Sequence, residues 1–176
     1  MRPLHAILAA FGVLVAVYFI GAGLLPSEWE EQDRAEICAD PELLFDALSD
    51  PDEVAAWSSL TREEDEPEIQ STPGAGGQVE WPTDGEDGRI AILEVVPEGT
   101  DRVDYRLEVD GRTMATATAR VDEREGQHNL VHLRIEPQVE TGAGRWVGLI
   151  SRLQGDVRRL ASSELESVSE RVNGEC

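Results

Sequence analysis

The chain has 176 residues and a formal net charge of −21, from 36 acidic and 15 basic residues, and every base is an arginine. Its length predicts one domain with an appendage. The acidic excess excludes nucleic acid as a partner, because binding phosphates needs a basic surface. Such surfaces are typical of proteins from salt-loving microbes, where ions screen the repulsion between acids. A GC-rich genome that favours arginine codons is the alternative explanation.

The first apolar stretch covers residues 4–25 and is interrupted only by His5 and Tyr18 before it ends at Pro26. As a helix it would be about 33 Å long, which is enough for a bilayer core of about 30 Å. The stretch therefore predicts a single transmembrane helix.

The charges on either side of this stretch predict its orientation. Arg2 and the amino terminus precede it, and several acids follow it. The positive-inside rule then places the amino terminus in the cytoplasm and the rest of the chain on the outer, periplasmic or extracellular, side. We predict a membrane anchor over residues 1–26 and a second domain over residues 27–176. A cleaved signal peptide, with small residues at 21–23 as its cleavage site, is the alternative.

An Asp-Pro pair occurs twice, at residues 40–41 and 50–51, after a polar first strand that we predict over residues 29–38. Aspartate is a favoured N-cap residue, and proline is favoured at the first position of a helix. The two pairs therefore predict two short helices, at about residues 41–48 and 51–57.

Apolar residues recur at every second position between residues 78 and 138, which predicts antiparallel strands with one buried face. Residues 89–96 are apolar at odd and even positions and are expected near the middle of the sheet. The acidic run at residues 63–68 is expected to be a solvated strand edge or loop. Turns are predicted at residues 71–77, 83–88, 98–101, 110–111 and 125–129. The odd-numbered apolar residues are Val79, Trp81, Val103, Tyr105, Leu107, Val109, Ala115, Ala117, Ala119, Val121, Val131, Leu133 and Ile135.

The last part of the chain, from Gly144 to Asn173, predicts one long helix that ends at Gly174. Its apolar residues recur in steps of three, four or five and form one stripe. Together with the strands, this predicts an α+β fold in which a curved antiparallel sheet of six or seven strands grips the helix. The stripe consists of Trp146, Ile150, Leu153, Val157, Leu160, Leu165, Val168 and Val172.

The order of these elements and several local segments resemble the helix-grip superfamily called SRPBCC. This superfamily includes START lipid-transfer domains, polyketide cyclase/dehydrase-like proteins and birch-pollen-allergen-type proteins. The resemblance covers about residues 28–173, and it implies a hydrophobic cavity between the sheet and the long helix. A membrane segment at the amino terminus is also found in many bacterial polyketide-cyclase-like members. The segments that carry the resemblance are residues 39–45, 48–51, 57–58, 74–77, 79–81, 94–97 and 103–107.

No motif in the sequence predicts a metal site, a cofactor or a catalytic residue. Two cysteines cannot form a four-cysteine zinc site, and the three histidines have no metal-ligand spacing. No serine lies in a nucleophile elbow, and the glycines at residues 74–77 do not open a helix. His128 and His132 are expected at the surface.

The ligand-binding residues that we predict are the inward positions of the sheet and the long helix. Only Tyr105 among them is polar, and a phenol is a poor general base near neutral pH. This argues against a cyclase or dehydratase enzyme. We expect a membrane-anchored module that binds an apolar or lipid-like small molecule, or alternatively an interaction domain with a filled core. The predicted residues are Trp81, Leu93, Tyr105, Leu107, Ala117, Leu133, Ile135, Trp146, Ile150, Leu153 and Val157.

The resemblance implies that Cys38 and Cys176 lie near each other, because in this superfamily the two short helices support the end of the long helix. An outer compartment would permit a disulfide. Against it stand the flexible end of the chain and the short Cα separation that a disulfide requires. We expect two free thiols, with the bridge as the alternative.

Overall fold

The structure is a computed structural model that describes residues 2–61, 68–70, 74–82, 87–97, 101–123, 128–139 and 141–172. The side chains of residues 2–10, 70, 82, 123 and 153 lie outside this description. The helices are α1 (Arg2–Leu24), α2 (Pro41–Ser49), α3 (Pro51–Trp57), α4 (Gly142–Gln154) and α5 (Asp156–Val172). The strands are β1 (Glu31–Cys38), β2 (Glu68–Gln70), β3 (Gln78–Pro82), β4 (Asp87–Val96), β5 (Arg102–Val109), β6 (Arg112–Glu123) and β7 (His128–Pro137).

The seven strands form one antiparallel sheet in the order β1-β7-β6-β5-β4-β3-β2. Its register aligns Tyr105 of β5 with Ala117 of β6, and Ala117 with Ile135 of β7. Odd-numbered residues such as Val103 and Val131 are fully buried on the inner face. The period of two therefore predicted the buried face of the sheet correctly, and the α+β fold is confirmed.

The prediction that Leu93 of β4 faces inward needs correction. Ile90 and Ile92 are buried, whereas Leu93 is 39% exposed. A register shift lies between Ile92 and Glu94, so the alternation of β4 against β5 changes at this point. Because the strand is apolar at both parities, its sequence gave no indication of which set faces inward.

Helices α2 and α3 begin where the Asp-Pro pairs predicted. The Asp40 carboxylate accepts a hydrogen bond from the Glu42 amide at 2.9 Å, and the Asp50 carboxylate accepts one from the Asp52 amide at 2.9 Å. Each bond satisfies an amide that has no partner within its helix. The Trp57 indole N–H then donates to a carbonyl of α2 at 2.8 Å and ties the two helices together.

The prediction of one long C-terminal helix is wrong, because Gly155 divides it into two. Gly155 has φ 70 and ψ 26, a left-handed conformation that ends α4. Glycine adopts this conformation without the steric cost that other residues meet. Helix α5 lies on β1 and β7, whereas α4 contacts α1 and the start of α5. The apolar stripe is therefore shared between two different neighbours.

Two polar contacts hold α5 in place. Near its end, the Arg171 guanidinium donates to both carboxylate oxygens of Glu53 in α3, at 2.7 and 3.0 Å. Near its middle, the Ser162 hydroxyl donates to Asp33 of β1. These hydrogen bonds favour the charged carboxylates, so the Arg171 contact lowers the pKa of Glu53 and the Ser162 contact lowers that of Asp33.

Helix α1 confirms that residues 4–25 are mainly helical, but the transmembrane prediction is not supported. Among the described residues, no helix combines the length and hydropathy that crossing a membrane requires. In α1 the side chains are described from Phe11 onward. The side chains from Phe11 to Ile20 are exposed, and the burial of Ala22 marks where α1 meets α4. The domain boundary at residue 26 stays a prediction.

The expectation of two free thiols is corrected, because Cys38 is disulfide-bonded. Cys176 lies outside the described residues.

Of the predicted turns, that at residues 110–111 is confirmed by the positive φ angles of Asp110 and Gly111, 50 and 71. Residues 87–88 and 128–129 were expected in turns. They are instead the first residues of β4 and β7, where they pair with β3 and β1. The turn predicted at 71–77 is also confirmed over its described residues, where Gly74 and Gly76 have φ angles of 85 and 97 and the Gly77 amide donates to the Gly74 carbonyl at 3.1 Å. Residues 63–67 of the acidic run and the centres of the turns predicted at 83–88, 98–101 and 125–129 lie outside the described residues.

The packing of α5 can be tested with two identical substitutions. Leu165 on α5 is 3% exposed and Leu43 on α2 is 54% exposed. Leu165→Ala should lower the free energy of unfolding by about 2–5 kcal/mol, because it removes buried methyl groups and leaves a cavity. Leu43→Ala should change it by no more than about 0.5 kcal/mol. Urea unfolding followed by circular dichroism measures both, and equal losses would show that the buried face of α5 is wrongly assigned.

Candidate functional site

An apolar cavity of about 90 Å³ lies between the inner face of the sheet, α3 and α5. Its walls come from four strands, from α3 and the segment that follows it, and from the first half of α5. The apolar residues that line it are Val54, Trp57, Leu60, Ile90, Tyr105, Leu107, Ala115, Ala117, Leu133, Ile135 and Leu160.

The cavity owes its space to strand β6, which presents small side chains where its neighbours present large ones. Ala115 faces Leu107 of β5, and Ala117 lies between Tyr105 and Ile135 in the register. A methyl group cannot fill the distance between a sheet and a helix that the neighbouring large side chains hold apart. The alanines of β6 thus form the floor of the cavity.

One carboxylate, Glu164 of α5, lies in the wall of this apolar cavity. The residue is only 6% exposed. Its Oε1 atom accepts a hydrogen bond from the Ser59 amide at 2.9 Å and another from the Ser59 hydroxyl. A buried carboxylate needs such donors to offset its lost hydration. Ser59 therefore fixes Glu164 beside the cavity.

Glu164 was not predicted as a site residue, although its position in the helical period indicates burial. The buried residues of α5 are Ala161, Glu164, Leu165, Val168 and Val172, which follow one another at helical steps. Position 164 thus belongs to the buried face by periodicity. It was passed over because only apolar residues were used to define the stripe.

Tyr105 lies at the cavity as predicted, but its hydroxyl is already engaged. It donates a hydrogen bond to the Leu48 carbonyl at 2.6 Å. Burial of the phenol, with a smaller contribution from the negative charge of Asp104, raises the pKa of Tyr105. The side chain therefore stays neutral at physiological pH and connects the sheet to α2.

The structure brings five of the predicted site residues together around the cavity: Tyr105, Leu107, Ala117, Leu133 and Ile135. The other six lie elsewhere or outside the description. Trp81 is buried at a different cleft, Leu93 is partly exposed, and Val157 packs against the core. Trp146 lies against α1 and Ile150 is mostly exposed, because α4 leaves the sheet. The side chain of Leu153 lies outside the described residues.

A larger, open cleft of about 670 Å³ lies beside Trp81 and Gly88 at the other side of the sheet. Three of its charged groups are paired: Arg89 binds Glu108 and lies 3.9 Å from Glu80. The hydrogen bond from Arg89 lowers the pKa of Glu108. Among the described residues, no group of three or more acids, histidines or cysteines is placed to hold a metal ion. The smaller apolar cavity is thus the better candidate site.

Solved structures with similar folds cover most of the chain. A truncated norcoclaurine synthase from Thalictrum flavum superposes with a TM-score of 0.60 at 14% identity, covering 85% of this chain and 96% of that one. The Aha1 dimer from Colwellia psychrerythraea gives a TM-score of 0.57 at 14% identity, with 82% and 96% covered. Major latex-like protein 151 from Panax ginseng gives 0.54 at 11% identity, with 84% and 99% covered. At these identities the likeness shows the fold alone.

The sequence itself matches one protein-family model. No curated protein sequence matches the chain. The family model for Activator of Hsp90 ATPase homolog 1-like protein matches residues 38–143. This match and the similar folds confirm the resemblance to the SRPBCC superfamily, while the narrower likeness to polyketide cyclases is not shown. The chain belongs to the Activator of Hsp90 ATPase homolog 1-like protein family.

Proposed function

We propose that this domain is a binding module for a small, mainly apolar molecule, which occupies the cavity between the sheet and α5. The observation that carries the proposal is a cavity with an almost wholly apolar lining and a single buried carboxylate, Glu164, in its wall. Ligand sites are commonly apolar, with a few polar groups that orient the ligand. Glu164 would be that polar group.

The size of the cavity limits the ligand. Its volume of about 90 Å³ is below the range of about 300–1,000 Å³ that is typical of ligand pockets. The ligand would therefore be compact, or binding would move α5 away from the alanines of β6. A long acyl chain does not fit this space, so a lipid ligand is not part of the proposal.

The same volume favours a second candidate, an interaction domain with a nearly filled core. The name of the family refers to the activation of an ATPase, which is an action on a protein partner. In this case the cavity would be a packing defect, and the outer surface would carry the function. The two candidates differ in what happens when the cavity is filled.

Filling the cavity should abolish ligand binding. Ala117→Leu adds three carbon atoms to the cavity floor and should cost about 1–3 kcal/mol of stability through overpacking. We expect it to remove the heat of binding that toluene, a compact neutral apolar probe, should give with the unmodified protein. Titration of the probe into the full chain, with thermal unfolding as a check on folding, makes the measurement.

Ala91→Leu is the matched control, because Ala91 pairs with Gln78 and Arg106 on the outer face of the sheet. It adds the same volume but should leave probe binding unchanged. If the unmodified protein binds no apolar probe, or if both variants bind it equally well, the interaction domain is the better description.

The charge of Glu164 should select for ligands that carry a cationic or strongly donating group. Glu164→Gln keeps the shape of the side chain and an oxygen that can accept from Ser59. It should weaken binding of benzylamine by about 1.5–3 kcal/mol, the value of a hydrogen bond to a charged group. Binding of the neutral toluene should change little, as isothermal titration can measure.

Glu166→Gln, on the exposed face of α5, provides the control for overall charge. Equal effects of Glu164→Gln and Glu166→Gln would show that the amine senses only the acidic surface. In that case Glu164 has a structural role through Ser59.

We also propose that α1 anchors the domain in a membrane, with the domain on the outer side. The exposed large apolar side chains of α1 support this, because a helix that is apolar on all sides is usually buried in protein or lipid. The disulfide at Cys38 supports the outer compartment, since such bonds persist where the surroundings are oxidising. Both observations concern residues outside the cavity and are independent of the ligand.

Anchoring through α1 predicts that the full chain resists extraction from membranes by alkaline carbonate. A variant that lacks residues 1–25 should appear in the supernatant and should unfold cooperatively, because the sheet and α5 form a core to which α1 contributes little. Fractionation followed by immunoblotting measures the first result and circular dichroism the second. Release of the full chain by carbonate would contradict the anchor.

A further inference from the structure

Helix α4 turns away from the sheet and packs against α1. The Trp146 indole N–H donates to the Tyr18 carbonyl at 3.2 Å. Arg145 donates to the Ala22 carbonyl at 3.2 Å and to the Leu25 carbonyl at 3.4 Å, near the end of α1. A methyl group on Gly21 would collide with the Trp146 ring. The two helices are therefore closely packed at the point where α1 leaves the domain.

The side of α4 that faces solvent is apolar from Ala143 to Ile150 and polar at its end, where Arg152 and Gln154 are exposed. Val147 is 61% exposed and Ile150 is 51% exposed. With the exposed Ala143 they follow at steps of four and three, so they form one stripe along the helix. Another side of α4 packs against the domain, where Gly148 lies close to Trp29. No described residue covers the stripe.

The stripe lies on a helix that packs directly against the apolar helix α1. Tyr18, Phe19 and Ile20 are exposed on α1, close to the point where Trp146 packs. Single exposed apolar residues are common, whereas a contiguous apolar surface indicates a contact with a partner or a membrane. A partner that covers α1 at this point would therefore lie beside α4 as well.

The distribution of charge identifies the kind of partner. The two longest stretches of the sequence without an acidic residue are residues 1–27 and 141–155, in a chain with 36 acids. The fold places these two stretches in contact, because they form α1 and α4. Within α4 the only charged residues are Arg145 and Arg152. A surface without acids suits a bilayer, whose headgroup region is often negatively charged.

The aromatic residues near this junction also indicate a membrane as the partner. Tyr18 and Trp146 lie where α1 meets α4, and Trp29 packs against Gly148 on another side of α4. Tryptophan and tyrosine are enriched where a membrane protein crosses from lipid to water, because their rings are apolar with one polar atom. The junction therefore has the composition of a membrane–water interface.

We propose that α4 lies in the membrane interface at the base of α1, with Ala143, Val147 and Ile150 directed into the lipid. The occupant of the apolar stripe is thus the bilayer itself. This inference rests on the proposed anchoring by α1, but it assigns a second and separate membrane contact. Because Gly155 joins α4 directly to α5, the contact would fix how the domain is oriented on the membrane surface.

The test places an environment-sensitive nitrobenzoxadiazole probe at single positions of the full chain. Val147→Cys and Ile150→Cys probe the stripe, and Leu43→Cys, an exposed apolar position on α2, is the matched control. The proteins are labelled without reductant, so that the disulfide at Cys38 is kept. They are then inserted into vesicles of phosphatidylcholine with a minority of phosphatidylglycerol.

We expect the probes at positions 147 and 150 to emit at shorter wavelength in vesicles and to be quenched by doxyl-labelled lipids. The probe at position 43 should be quenched by aqueous iodide alone. If the probes at 147 and 150 are quenched by iodide to the same extent as that at 43, the proposal is overturned. If they are shielded from iodide but doxyl lipids do not quench them, a second copy or another protein covers the stripe, and the proposal is again overturned.

The failure of this inference can be distinguished from the failure of the anchor. Carbonate extraction of the same vesicles reports on α1 alone. A chain that carbonate removes contradicts both proposals. A chain that stays bound while positions 147 and 150 remain open to iodide contradicts only the membrane contact of α4.

Discussion

Gly155 adopts a left-handed backbone conformation, and the arrangement of the helices depends on this single residue. A continuous helix from residue 142 to 172 would keep α4 in line with α5, which lies on the sheet. The break allows α5 to pack on β1 and β7 while α4 packs on α1. A residue with a Cβ atom would meet a steric cost of about 1 kcal/mol or more in this conformation. The glycine thus separates the part of the chain that forms the core from the part that meets α1.

The position of α5 in turn determines the cavity. Polar contacts at Asp33 and Glu53 hold the helix at two points, and Leu160 and Glu164, on either side of the Ser162 contact, line the cavity with the alanines of β6. A helix held by large neighbours cannot move down onto small side chains, so space remains beneath it. Glu164 borders that space, and its hydrogen bonds from Ser59 join α5 to the segment after α3. One carboxylate is therefore both a structural link and the most polar part of the cavity wall.

Local patterns in the sequence predicted those features that depend on local physics. The Asp-Pro pairs gave the starts of α2 and α3, because capping involves only neighbouring residues. Alternation gave the buried face of β5, β6 and β7, because side chains of a strand alternate between two faces. The same rule could not assign β4, where both parities are apolar and a bulge changes the register at Leu93. Such a choice depends on the neighbouring strand.

The candidate site was harder to predict than the fold, for a physical reason. Glu164 is polar by composition but buried by position, so a search for apolar residues passes over it. Ile150 and Trp146 are apolar but lie on α4, and only the backbone angle at Gly155 decides that this helix leaves the sheet. A sequence shows what a residue is, whereas a site depends on which residues the fold brings together. The five predicted residues that line the cavity are those on regular strands, where alternation fixes the direction of the side chain.

The strong negative charge of the chain and the absence of acids from α1 and α4 are related by one electrostatic constraint. A domain with a net charge of −21 is repelled by any anionic surface. That repulsion is screened over about 8 Å at physiological ionic strength, so it acts mainly on the residues nearest to the surface. An acidic domain can therefore stay close to a membrane if the part that touches it carries no acids. Helices α1 and α4 meet this condition, and their contact through Trp146 brings the two acid-free stretches to the same end of the molecule.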